Sequence, residues 1–171
     1  MRRTRSWLTL AVCCLAGAAL AWAQERKPGL WDVTSTMTWQ KSPFPAGMNM
    51  PAGGNSPFGG GPHTTQVCLT QQQIDDYHAI TPAMKGCQIT NVVKRPNGMT
   101  GDLVCTGIFS GKGTLESSWS DSEHASGKVH FVGAMQMGPQ STPIEWTATS
   151  TSVYKGADCG SVKPLPTPSQ K

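Results

Sequence analysis

The chain is poor in charge: 14% of its 171 residues are Asp, Glu, Lys or Arg. The formal net charge of +4 falls to +1 once Arg2, Arg3 and Arg5 are set aside, leaving 11 basic and 10 acidic residues. After residue 23 the only basic doublets are Arg26-Lys27 and Lys94-Arg95, and both read as solvated ends. Nucleic-acid binding needs a concentrated basic patch, so that class is excluded. No apolar run after residue 23 is long enough to cross a bilayer as a helix. The absence of C-x-x-C argues against a four-cysteine zinc site and against a thioredoxin-like redox centre. The absence of G-x-S-x-G argues against a hydrolase elbow. Ser122, Glu123 and His124 are neighbours in sequence, but adjacency in a turn points side chains apart and builds no triad. Of the other histidines, His130 falls on the polar parity of a strand and His78 closes a short helix, where a cation suits the C-terminal end. No catalytic residue is assigned, no cofactor is implied, and an enzyme is the least favoured class.

What is present begins with a leader. Arg2, Arg3 and Arg5 form a basic n-region, Trp7 to Leu20 is apolar, and Ala21-Trp22-Ala23 has the small-x-small form of a signal-peptidase site. Residues 1–23 therefore read as a signal peptide, which places the mature chain in the periplasm with no transmembrane segment. Residues 24–163 read as one β-rich domain and 164–171 as a flexible tail. Six cysteines become four on processing: Cys68, Cys87, Cys105 and Cys159. An even number in an exported chain points to a disulfide framework. Cys68–Cys87 with Cys105–Cys159 is the pairing slightly preferred. Cys87–Cys105 is the rival, because the turn at Asn97-Gly98 brings those two nearly opposite each other.

Leu30 to Gln40 alternates, with Trp31, Val33, Met37 and Trp39 on one parity and threonines on the other, as a half-buried strand does. Ser42 to Pro62 holds five prolines and six glycines in 21 residues and reads as a long loop. Thr70 and Gln73 have capping-box spacing for a helix over Gln71 to His78, with Ile74, Tyr77 and His78 as its inward face. Cys87 to Lys94 and Thr100 to Phe109 form a hairpin around Arg95-Pro96-Asn97-Gly98, with positive φ expected at Gly98. Gly111-Lys112-Gly113 interrupts the pattern. Strands follow at Leu115 to Trp119, Lys128 to Met137 and Glu145 to Tyr154. The fold class is mainly β: an antiparallel meander of about six strands, a curled sheet or partly open barrel, with one short helix and a long Pro/Gly-rich loop.

Three segments together resemble an exported proteobacterial family of unknown function, DUF3617. They are Lys27-Pro28-Gly29-Leu30-Trp31-Asp32-Val33-Thr34, Cys68-Leu69-Thr70-Gln71-Gln72-Gln73, and Lys155-Gly156-Ala157-Asp158-Cys159. Cys87 with Ile89-Thr90-Asn91-Val92 and Cys105-Thr106-Gly107 fit as well. The Ala157-Asp158 pair ahead of the last cysteine is a minor departure. The resemblance implies export and a single fold, and transfers no catalytic residue.

Function then rests on surfaces. Met48, Met50, His63, Met135 and Met137, with Met37, are residue types that suit Cu(I), but two loop methionines fall short of a dedicated carrier and the strand pair suits a core. No metal is assigned. Trp31, Trp39, Trp119, Phe131 and Trp146 supply aromatic area for a core or an apolar ligand. Phe44, Phe58, Trp39, Trp119 and Trp146 are the candidate ligand or partner contacts. The leading reading is a small periplasmic binding or envelope-accessory module, with a small apolar ligand or an envelope protein as partner. The alternative is a structural or protein-interaction domain without a small ligand.

Overall fold

A computed structural model describes residues 26–44, 61–76 and 86–164. The elements are β1 (Gly29–Lys41), β2 (His63–Leu69), α1 (Gln71–Asp76), β3 (Cys87–Arg95), β4 (Gly98–Cys105), β5 (Phe109–Trp119), β6 (His124–Met137) and β7 (Gln140–Gly156). They make one antiparallel sheet of seven strands in the order β2-β1-β7-β6-β5-β4-β3. Strands β3 to β7 form a meander. The chain's first strand then lies along its last, and β2 borders β1 on the outside. The sheet is open, as expected, and has one strand more than the expected six: β2, which needs β1's free edge as a partner.

The sheet is one-faced because side chains alternate. The inward parity carries Trp31, Val33, Met37 and Trp39 from β1, Leu115 from β5, Val129 and Phe131 from β6, and Trp146 and Ala148 from β7. The outward parity is rich in hydroxyls, among them Thr34 and Thr64, whose Oγ atoms are 2.8 Å apart. The inward face gathers two apolar clusters. One holds Leu103, Cys105, Phe131, Met135, Ile144 and Trp146. The other holds Trp31, Leu69 and Ile74, with Val33, Val67 and Tyr154 against it.

Local chemistry explains the joints. The capping box forms in full: Thr70 Oγ1 accepts from the Gln73 amide at 3.2 Å and Gln73 Oε1 from the Thr70 amide at 2.9 Å. Residues 77–85, including Tyr77 and His78, lie outside the described residues, as do Met48, Met50 and Phe58. At the β6–β7 reversal Gly138 has φ +67, which its place at the first position of a two-residue turn requires.

Three local readings are corrected. The β3–β4 reversal exists, but Arg95 pairs with Gly98, so Pro96 and Asn97 are its central residues and Gly98 does not have positive φ. Gly98 is needed for another reason: a Cβ there would sit 2.4 Å from the Ser117 carbonyl oxygen. Gly111-Lys112-Gly113 does not interrupt a strand, since β5 runs through it and the break falls at Thr106-Gly107-Ile108, where Gly107 has φ +111. Gly111 and its cross-strand partner Gly133 make room for an aromatic ring, because a Cβ at either would stand 2.9 Å from the Phe131 side chain. That ring stacks on Trp146 with centroids 5.4 Å apart. The preferred cysteine pairing also fails. The bonds are Cys68–Cys159 and Cys87–Cys105. Cys87 and Cys105 are direct cross-strand partners, and the hairpin register decides their pairing.

Candidate functional site

The inward face has a gap between its two apolar clusters. One register row crosses it: Ser35 on β1, Ser150 on β7, Gly127 on β6 and Ser117 on β5. A second row runs Val33, Ser152, Ala125 and Trp119. These side chains are too small to fill the width between Trp31 above and Phe131 below. The result is a cleft enclosing about 40 Å³, lined by Trp31, Val33, Val67, Leu69, Ser117, Ala125, Gly127, Ser150, Ser152 and Arg26. That is room for about three water molecules. Strands β2 and β5 both reach it although three strands separate them. In a flat sheet they would lie roughly 19 Å apart, so the cleft exists because the sheet curls.

The segment before β1 roofs this cleft. Lys27 donates its amide to the Ser122 carbonyl in the β5–β6 turn at 3.2 Å, and Trp31 Nε1 donates to the Lys27 carbonyl at 3.0 Å. Gly29, with φ +134, lies so close to β7 that a Cβ would meet the Gly156 oxygen. Arg26 is thereby carried inward: it is 7% exposed, and its guanidinium lies 5.6 Å from the Trp119 ring. Trp119 is half-buried, and its Nε1 is buried with no acceptor among the described residues. Reading Arg26-Lys27 as a solvated doublet is thus right for Lys27 and wrong for Arg26.

Electrostatics at the roof are those of an exposed ring of pairs. Lys27 Nζ and Glu123 Oε1 are 2.6 Å apart, and Nζ lies 5.5 Å from the Tyr154 ring. The hydrogen bond to Glu123 holds the Lys27 ammonium above its ordinary pKa. Asp121 accepts from the Glu123 amide at 2.7 Å and the His124 amide at 2.8 Å, and its Oδ atoms are 2.9 Å from His124 Nδ1. The Glu123 amide first, then the His124 ring and amide, hold its carboxyl below the usual range.

Of the aromatic residues expected to meet a ligand, Trp146 is 6% exposed and belongs to the core. Trp39 is half-buried and meets Phe44 edge-on at 6.5 Å. Trp119 stands beside the cleft. Two histidines adjoin carboxylates: His124 beside Asp121, and His130, whose Nε2 is 3.3 Å from Glu145 Oε1 on the outer face. Among the described residues no hydroxyl hydrogen-bonds the other ring nitrogen of either histidine. No group of three or more His, Cys, Asp or Glu is gathered among the described residues as metal ligands. Sequence reasoning missed Arg26, since its burial depends on where the sheet curls. The inward serines Ser117 and Ser150 were visible by parity but silent about a gap.

The architecture is that of an open, curled antiparallel sheet with a cleft on its concave face, clamped by two disulfides. A family model described as a protein of unknown function, DUF3617, matches residues 26–159, and the chain belongs to that family. Neither the curated proteins nor the solved structures give a match. Segments that carried the resemblance meet at one corner. Gly29 packs on Gly156, Cys68 bonds Cys159, and Thr70 caps α1. Each of these contacts holds the fold.

Proposed function

We propose that the protein is a small periplasmic binding module whose concave cleft takes a small molecule. The observation behind this reading is the row Ser35, Ser150, Gly127 and Ser117, which leaves space beneath a buried Arg26 where larger side chains would have closed a continuous core. Export is supported by the leader motif in residues 1–23 and by two disulfides, bonds that persist in oxidising compartments. No helix among the described residues is long and apolar enough to cross a membrane.

The test is non-denaturing mass spectrometry of the protein recovered from the periplasm, followed by its denatured, non-reduced mass. The module predicts a start at Gln24 and an adduct lost on denaturation. Ser150→Leu, which fills the cleft, should arrive without that adduct. A wild type that is bare and takes up no added small molecule would count against the reading.

A partner-binding role is the alternative. It draws on β3, an outer strand of the sheet, where Val92 and Val93 are 42% and 54% exposed beside an edge that pairs with no other strand among the described residues. Loss of a co-purifying protein on mutation of those valines, with no small-molecule adduct, would favour it. A hydrolase or a copper-binding protein has less support than either.

A further inference from the structure

We infer that the outer face of the sheet carries a binding site of its own, in which Glu116 and Lys128 receive the ammonium and the carboxylate of a small zwitterion such as an α-amino acid. The site is separate from the concave cleft and does not rest on the reading above.

Glu116 on β5 and Lys128 on β6 are direct cross-strand partners on the outward parity. Opposite charges so placed ordinarily reach each other. Here, among the described residues, neither side chain takes part in an ion pair or a hydrogen bond. The two instead flank a depression of about 260 Å³, lined by them together with Thr114, His130 and Thr147. The neighbouring register row accounts for the hollow, since Thr147, His130 and Thr114 are consecutive partners across β7, β6 and β5. The threonines are short, and the His130 ring is drawn toward Glu145, with Nε2 3.3 Å from Oε1. Glu145 also meets Lys41 at 3.9 Å, so its charge is answered within the chain and Glu116 is the carboxylate without a counter-ion.

A ligand of one charge would gain from one member of the pair and be repelled by the other. A zwitterion gains from both. Adjacent strands lie about 4.8 Å apart, a span that favours charges on neighbouring atoms over the distant termini of a peptide. The hydroxyls of Thr114 and Thr147 both donate and accept, so they serve either end. All five lining residues are polar, which suits a small or polar substituent. Glu116 and Lys128 stand in water, which limits the affinity to roughly millimolar.

The experiment is a low-salt titration of the isotope-labelled processed chain, disulfides intact, followed by NMR amide shifts. The probes are L-glutamine, glycine, acetate and methylammonium. Glutamine and glycine should give saturable shifts around Glu116, Lys128 and Thr147. Acetate and methylammonium carry one charge each and should bind at least about threefold more weakly. Glu116→Lys should abolish the glutamine response and strengthen acetate, and Lys128→Glu should abolish it and strengthen methylammonium. Both positions are exposed, and Glu116→Gln, expected to weaken glutamine about threefold, gives a second test should a reversal disturb the fold. Ser150→Leu, which fills the concave cleft, should leave the glutamine titration unchanged. Acetate or methylammonium binding the wild type as tightly as glutamine overturns the zwitterion. Glutamine indifferent to both reversals but lost in Ser150→Leu would move the ligand to the cleft and overturn the outer site. No saturable shift with any probe overturns the inference and leaves the concave reading as it stands.

Discussion

The two disulfides make unequal predictions. Cys68–Cys159 spans 91 residues and Cys87–Cys105 spans 18, nested inside the first. In the chain-entropy treatment the outer link alone would restrict the unfolded chain by about 4.6 kcal/mol and the inner by about 3.2 kcal/mol. Nesting shortens the outer loop to roughly 73 residues while the inner link is present, which lowers its effect only to about 4.4 kcal/mol. Packing does not disturb the ranking. Each link joins one buried sulfur, Cys68 or Cys105, to a half-buried one, Cys159 or Cys87. Cys68→Ala/Cys159→Ala should therefore lose about 1 kcal/mol more than Cys87→Ala/Cys105→Ala in urea titrations of the processed chain. Peptide mapping without reduction gives the connectivity directly. A fragment linking Cys68 to Cys87 would refute the pairing. An inner-link variant less stable than the outer-link variant would refute the entropic argument.

Further expectations concern single positions. Gly98→Val should cost at least about 2 kcal/mol by thermal or urea unfolding, because its side chain would run into the Ser117 carbonyl. Asn97→Ala, at an exposed turn position, should cost under about 0.5 kcal/mol, and the reverse order would restore a positive-φ requirement at the turn. Thr70→Ala should cost about 1 kcal/mol by removing half of the capping box. Asp121 has a lowered folded pKa, so its contribution is complete above the ordinary carboxylate value and disappears as pH falls through the folded one. The Tm gap between wild type and Asp121→Asn should narrow from about pH 5 to about pH 2. A gap constant over that range would mean that the charge is not involved.

Alternation by itself settled which face of β1, β5, β6 and β7 is buried. Trp31, Trp39, Leu115, Phe131 and Trp146 fall inward as their parity requires, because successive side chains of a strand must point to opposite faces. Thr70 and Gln73 likewise named their own cap, since the bonds involved lie within one turn. Local sequence also marked the hairpin between Cys87 and Cys105, though not which residues turn it. Only the tertiary structure decided the rest. The run Gly111-Lys112-Gly113 looks like a break until the Phe131 ring, from the next strand, is seen beside Gly111 and the backbone of that strand beside Gly113. Cys159 finds Cys68 because β1 lies between β2 and β7, a pairing of strands far apart in sequence. Arg26 is ordinary in composition and becomes a buried cation only because the curled sheet brings Trp119 beneath it. The cleft follows the same logic, since its small residues lie on four strands and only the register aligns them. Short-range bonding and parity are written residue by residue. A gap in a core depends on what the other strands fail to fill.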